Sequence, residues 1–218
     1  MKAFWLLGSL LALLAPPLLG DTIYQTTAQG SEIVLQRDAI VIQQDSAFLV
    51  YKHFDLKERR VTVVRLNRGS LPLRVQVVNA RARQQILEVW KRFGYQAAVT
   101  DQSGKVTHVY DLYLDFYPPG GRGSLLESVA PCTNFPVQMD DGGANELDFE
   151  KIDHVEIQGD HLTITPRDGK PFTGKFLMPT TQPAEVRVLG ITDNYDPVSP
   201  EVFDFSVPLP KLKLISFE

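Results

Sequence analysis

Apolar and polar residues alternate with a period of two along most of this chain, and one stretch alone carries the period of a helix. Leu71, Leu73, Val75 and Val77 alternate with Pro72, Arg74, Gln76 and Val78, the pattern of a half-buried strand. Similar runs at Ser31–Gln36, Ala39–Gln43, Ala47–His53 and Arg60–Leu66 predict further strands, separated by polar breaks. Ala82, Ile86, Val89, Trp90 and Phe93 recur at helical spacing, which predicts one amphipathic helix over about 79–93. Asn79 is placed to cap its start, Lys91 and Arg92 suit its C-terminal dipole, and Gly94 suits a left-handed stop. Arg81 and Arg83 oppose the dipole in the first turn, so an acid from elsewhere is expected to compensate them. Tyr95–Asp101 and Val106–Tyr117 flank the turn Gln102-Ser103-Gly104-Lys105 as a hairpin. Strict alternation in the second strand puts Val106, His108, Tyr110, Leu112, Leu114 and Phe116 on one face, with Thr107, Val109, Asp111, Tyr113, Asp115 and Tyr117 on the other.

Residues 118–148 lose this regularity. "YPPGGRGS" breaks periodic structure, Ser124 and Glu127 form a capping-box pattern ended by Pro131, and "MDDGGANELD" is polar and glycine-rich. Beyond them, Ile152–Ile157, His161–Thr165, Phe172–Met178, Glu185–Ile191, Val202–Val207 and Leu212–Phe217 are short strands, with hairpin turns at Gln158-Gly159-Asp160 and Asp168-Gly169. The expected fold is mainly β. An N-terminal β-sheet module with one packed amphipathic helix (21–117) leads through a connector (118–148) to a small all-β barrel or sandwich module (149–218). The stretch "ITPRDGKPFTGKFL" (Ile164–Leu177) resembles the hairpin of Sm-like or SH3-like small barrels, over about fourteen residues and with no binding residue to carry across.

The start of the chain changes the biological setting. Lys2, the apolar run Phe4–Ala15, Pro16-Pro17 and Gly20 before Asp21 have the layout of a secretory signal peptide over residues 1–20. The run is short for a bilayer span, which needs about 20 residues. The chain has a single cysteine, Cys132, and no Asn-x-Ser/Thr acceptor, so neither an internal disulfide nor N-glycosylation is available. Together these predict a bacterial protein that is periplasmic or secreted, with no transmembrane segment once the leader is removed.

Charge is unevenly spread within the formal net charge of −4. Residues 57–92 hold ten Lys/Arg and two acids, whereas residues 93–218 hold nine Lys/Arg and nineteen acids. Export argues against nucleic acid, and the base-stacking motifs of RNA-binding folds are missing. The basic block, with Arg59, Arg65 and Arg74 on its strands, is therefore expected to meet either the acidic half of the chain or an envelope protein or anionic envelope component.

No residue pattern specifies a reaction, a metal or a cofactor. Cys132 lacks a base at recognisable spacing, with His108, His154 and His161 the candidates. His154 and His161, seven apart and each preceded by Asp, want a third ligand to hold zinc. Asp140, Asp141, Asn145 and Asp148 fail the register of a calcium loop. "GGRGS" lacks the spacing of a phosphate-binding loop. The aromatic and acidic set Asp111, Tyr113, Asp115 and Tyr117 is the candidate ligand-binding face, with cross-strand pairing to arginines such as Arg59, Arg65 or Arg74 as its structural alternative. Asp111 and Asp115 lie about 13 Å apart on a strand, too far for a glycosidase pair. The expected function is non-catalytic binding or scaffolding at the cell envelope; the alternatives are a small envelope hydrolase working between the modules and a subunit of an envelope assembly that pairs through strand edges.

Overall fold

The computed structural model describes residues 20–69, 72–119, 132–179, 181 and 183–218. Residues 1–19 of the leader, the capping-box pattern at Ser124–Glu127 and the whole of "GGRGS" lie outside the described residues. The fold is mainly β: two antiparallel sheets and one α-helix among the described residues, arranged like a β-sandwich with no closed barrel.

Five strands form the first sheet: β1 (Asp21–Thr26), β2 (Glu32–Gln44), β3 (Phe48–Asp55), β4 (Arg60–Asn67) and β5 (Leu73–Gln76), in the order β4-β3-β2-β1-β5. The two strands expected at Ser31–Gln36 and Ala39–Gln43 are one long strand, β2, bent at Asp38, whose φ is 52°. The bend hands β2 from one neighbour to the other: Glu32–Ala39 pairs with β1, and Ile40–Gln44 pairs with β3. β1, unmarked by strong alternation in the sequence, sits centrally and buries Ile23.

The helix α1 (Ala80–Trp90) follows β5, capped by the Asn79 side chain accepting from the Ala82 amide at 2.9 Å. It buries Ile86, Leu87 and Trp90, so its inner stripe is rotated from the expected one towards Leu87, while Phe93 lies past its end and is exposed. Arg83 finds the acid its dipole position requires: its guanidinium donates to Asp21 at 2.9 Å.

Ten strands form the second sheet. They are β6 (Ala97–Asp101), β7 (Val106–Tyr117), β8 (Asn134–Met139), β9 (Ala144–Asp148), β10 (Ile152–Gln158), β11 (His161–Pro166), β12 (Phe172–Phe176), β13 (Glu185–Ile191), β14 (Phe205–Pro208) and β15 (Leu212–Phe217). Their order is β14-β13-β7-β6-β15-β10-β11-β12-β8-β9. The hairpin β6–β7, adjacent in sequence to the helix, thus pairs with β15 and β13 rather than with the first sheet, and the stretch 134–148 supplies two strands. Its glycine-rich "DDGG" is the β8–β9 turn, where Gly142 takes a φ of 91° and the Asp141 carboxylate accepts from the Gly143 amide. β11 and β12 form the hairpin that resembles small barrels, but they lie inside an open sheet.

β7 departs from strict alternation. Tyr113 pairs with Leu189 and Tyr110 with Ile191, so β7 carries one residue more than β13 between these points. The bulge falls at Asp111, whose φ is 49°. It inverts the facing of the first half of the strand: Val109 joins Leu112, Leu114 and Phe116 in the main core, and Tyr110 turns towards the helix and first sheet. Gly94 serves this bulge rather than a left-handed helix stop, since a Cβ there would lie 2.3 Å from Asp111 Cα. Gly94→Ala is therefore expected to destabilise the protein by about 1–3 kcal/mol, read from the urea midpoint; a shift under about 0.5 kcal/mol would mean that the backbone can give way here.

The main core lies within the second sheet, where Phe135, Phe149 and Phe217 pack ring on ring at 4.8–6.5 Å. A second cluster joins the sheets through Ile40 and Val61 of the first, Ile86, Leu87 and Trp90 of the helix, Ile191 of the second and Tyr195 of the segment between β13 and β14.

Candidate functional site

The inter-sheet cluster contains charged groups that burial has perturbed. Asp111, projecting from the bulge, is 1% exposed and accepts the Val61 amide proton at 2.7 Å, which ties β7 to β4. Burial pushes its carboxyl up to about 8. Lys52 of β3 is fully buried; its ammonium donates to the Glu201 carbonyl and lies 4.6 Å from the centre of the Tyr195 ring. Burial pushes this lysine down to about 8, against the opposing pull of Asp196, Glu201 and Asp204. Lys52 therefore clasps the irregular segment between β13 and β14 onto the first sheet. The sequence does carry a trace of it: Lys52 stands two residues before Phe54, on the strand face that meets the helix.

The set Asp111, Tyr113, Asp115 and Tyr117 does not open as a shared surface. Asp111, Tyr113 and Asp115 are buried, and Tyr117 is half-buried. Tyr113 packs edge-on against Phe203 at 5.1 Å, with the Arg60 guanidinium 5.5 Å from its ring centre. The bulge leaves Tyr113, Asp115 and Tyr117 on the face of Tyr110, out of phase with the strict alternation. Arg59, Arg65 and Arg74 are exposed, and none pairs with Asp111. Each lies over a ring: Arg59 over Tyr95 at 4.7 Å, Arg65 over Phe48 at 3.8 Å and Arg74 over Tyr24 at 4.1 Å. Arg74 also grips Glu32 through two bonds of 2.6 and 2.7 Å. Among the described residues one ion pair between a Lys or Arg of the basic block and a carboxylate of the acidic block is formed, Lys91 to Asp193 at 2.8 Å.

The other reactive side chains are dispersed. Cys132 bridges to Leu114, and burial pushes its thiol up to about 12, which keeps it out of the thiolate form. His154 and His161 stand at opposite ends of the β10–β11 hairpin, opposite Thr165 and Gln158. Each has its own acid, Asp153 at 2.6 Å and Asp140 at 3.1 Å. Asp148 contacts Lys151 at 3.4 Å. Among the described residues, no three His, Cys, Asp or Glu side chains converge as metal ligands.

An open cleft of about 620 Å³, which sequence reasoning did not anticipate, lies beside the β6–β7 turn. It forms because the sheet brings β14 and β15 round the β6–β7 hairpin, joined by a single turn of 3₁₀ helix at Leu209–Lys211. Its floor is apolar, from Val99, Phe205, Val207 and Leu212, and its rim holds the Asp101–Lys105 turn, Thr107, Thr192, Asn194, Asp204 and Lys211. Both carboxylates on the rim are engaged. Asp101 accepts from the Ser103 hydroxyl at 2.6 Å and from the Ser103 and Lys105 amides, bonds that hold its carboxyl below its ordinary value, the hydroxyl foremost. Asp204 accepts from the Thr192 amide at 2.8 Å and from the Thr192 hydroxyl. The Gln102 side chain donates to the Leu212 carbonyl at 2.6 Å. Lys105 and Lys211 are exposed, and neither has an ion-pair partner among the described residues. The rim carboxylates stay charged, and Lys105 lies close enough to Asp101 to act on it, but their acceptor positions are occupied; an apolar floor beside two lysines that form no ion pair among the described residues suits a ligand with an apolar body and an anionic group. Its residues are legible as a site only once strands far apart in sequence are brought together. No helix among the described residues is long and apolar enough to cross a membrane. No family model, curated protein or solved structure matches the chain.

Proposed function

We propose that this chain is an exported, non-catalytic binding protein of the bacterial cell envelope, and that the cleft between the Asp101–Lys105 turn and β14–β15 receives an anionic amphiphile. The observation that carries this reading is the pairing, in one cleft, of an apolar floor with Lys105 and Lys211, two exposed lysines that form no ion pair among the described residues. The dispersal of Cys132, His154, His161 and Asp111 supports binding over hydrolysis, because a hydrolase brings nucleophile, base and oxyanion donors within reach of one atom. The leader-like start of the chain supports the envelope setting.

Titration of the protein with dihexanoyl phosphatidylglycerol, followed by calorimetry, tests the reading. Saturable binding is expected, weaker by about tenfold or more (about 1.4 kcal/mol) in the double variant Lys105→Glu, Lys211→Glu and retained in Arg65→Glu. Equal affinity in all three proteins, no binding at all, or cleavage of the lipid would each overturn it.

A further inference from the structure

Sheet edges that meet water are usually blunted by Pro, Lys or short length. Part of β2 is not. β2 pairs with β3 only over Ile40–Gln44, so on the side away from β1 the backbone of Glu32–Arg37 faces no strand among the described residues. This open edge carries three successive apolar residues, Ile33, Val34 and Leu35, at 49%, 41% and 39% exposure. Its charges stand at the two ends, Glu32 and Arg37, and Arg37 has no ion-pair partner among the described residues.

The register against β1 makes the stretch self-complementary. Thr26 pairs with Glu32, Tyr24 with Val34 and Ile23 with Gln36, which leaves Leu35 as the extra residue of a bulge. Glu32 therefore lies two pairing steps before Val34; Gln36 lies one step beyond it, and Arg37, the next residue and the last before the second register shift at the Asp38 bend, falls on the face of Val34 and Glu32. A two-fold axis through Val34, normal to the sheet, would bring each copy's Glu32 opposite the other copy's Arg37, with apolar residues between. Without the bulge the two charges would sit on opposite faces and could not meet.

We propose that the protein forms a two-fold homodimer by antiparallel pairing of its Glu32–Arg37 edges, continuing the first sheet from one copy into the next. Arg74 already holds the Glu32 carboxylate through two bonds, so the acid is presented in a fixed position and Arg37 is the group that orders on assembly. The pairing also carries each copy's Thr27–Ser31 turn past the other's Arg37, towards a groove of about 340 Å³ that Arg37 borders. Phe54, Leu56 and Phe93 line that groove, and Leu56, 72% exposed, gains cover there.

Sedimentation equilibrium of the purified protein, without ligand, tests this independently of the cleft. A mass of twice the chain is expected at micromolar concentration. Arg37→Glu and Glu32→Arg are each expected to sediment as monomers, with a dimer dissociation constant raised at least tenfold. An equimolar mixture of the two variants should regain the dimer, because the antiparallel register then opposes unlike charges at both ends. Val34→Lys, at an exposed position, should abolish assembly while circular dichroism reports an intact fold. A wild-type monomer throughout the range, a single variant that still dimerises, or a mixture of folded variants that stays monomeric would overturn the proposal.

Discussion

Asp21→Ala is expected to lower stability by about 3–5 kcal/mol, the cost of leaving a buried ionic group without its partner. The Asp21 side chain is fully buried and holds three separate elements at once. One carboxylate oxygen accepts from the Val41 amide at 2.8 Å and from Arg83 at 2.9 Å; the other accepts from the Val78 amide at 2.9 Å. The acid thereby anchors β2 beyond its bend, the chain leaving β5 and the first turn of α1. Removing it strands two half-buried amides and a guanidinium whose Nε already lacks a partner. Asp21→Asn keeps an acceptor for one of the two amides only, turns its NH2 on the other and loses the charge opposite Arg83, so it should recover little of the alanine loss and stay well below wild type. Urea denaturation of the three proteins measures the order; a loss under about 1 kcal/mol for alanine would mean that water replaces the carboxylate.

Stability should also fall as pH rises from about 4 to about 8, and the cause should be Asp111. Its folded carboxyl titrates near 8, against an ordinary value of 3.8. Between those values the unfolded chain has released a proton that the folded chain still holds, so each pH unit costs up to about 1.4 kcal/mol. Below the window both states are protonated, and above it both are ionised. Lys52 acts in the adjoining range with opposite sign: its folded value is about 8 against 10.5, so between these values the folded chain has given up a proton that the unfolded chain keeps, and stability rises with pH. The two groups together place a minimum near pH 8. Asp111→Asn retains an acceptor for the Val61 amide and removes the titration. It should match wild type near pH 4 and exceed it by a few kcal/mol at pH 8. Denaturation midpoints of both proteins at four pH values decide this. A pH-independent difference would show that Asp111 is ionised in the folded state throughout, and the explanation would fail.

Much of the fold is readable from local pattern. The Asn79 cap, the Gln102–Lys105 turn and the β10–β11 hairpin form where their residues predict, because each depends on chemistry within a few positions. Helix-dipole reasoning also required an acid for Arg83 without naming Asp21. Pairing between distant strands leaves no such trace. Nothing in Ala97–Asp101 marks it as the neighbour of Leu212–Phe217, so the hairpin it opens is assigned from sequence to the wrong sheet. The bulge at Asp111 is equally silent, since one added residue alters no composition yet turns Val109 inward and reorders the candidate aromatic face. The cleft is invisible for the same reason: its floor is gathered from β6, β14 and β15, and its cations from two separate turns.

β15 lies between β6 and β10, two strands made much earlier in synthesis. A growing chain must make β15 before the middle of the larger sheet can be sealed, and until then two unsatisfied strand edges remain open to each other and to other chains. Such high contact order favours slow folding. It also makes β15 disproportionately important: losing Leu212–Phe217 would split a ten-stranded sheet at its centre rather than trim it at a margin.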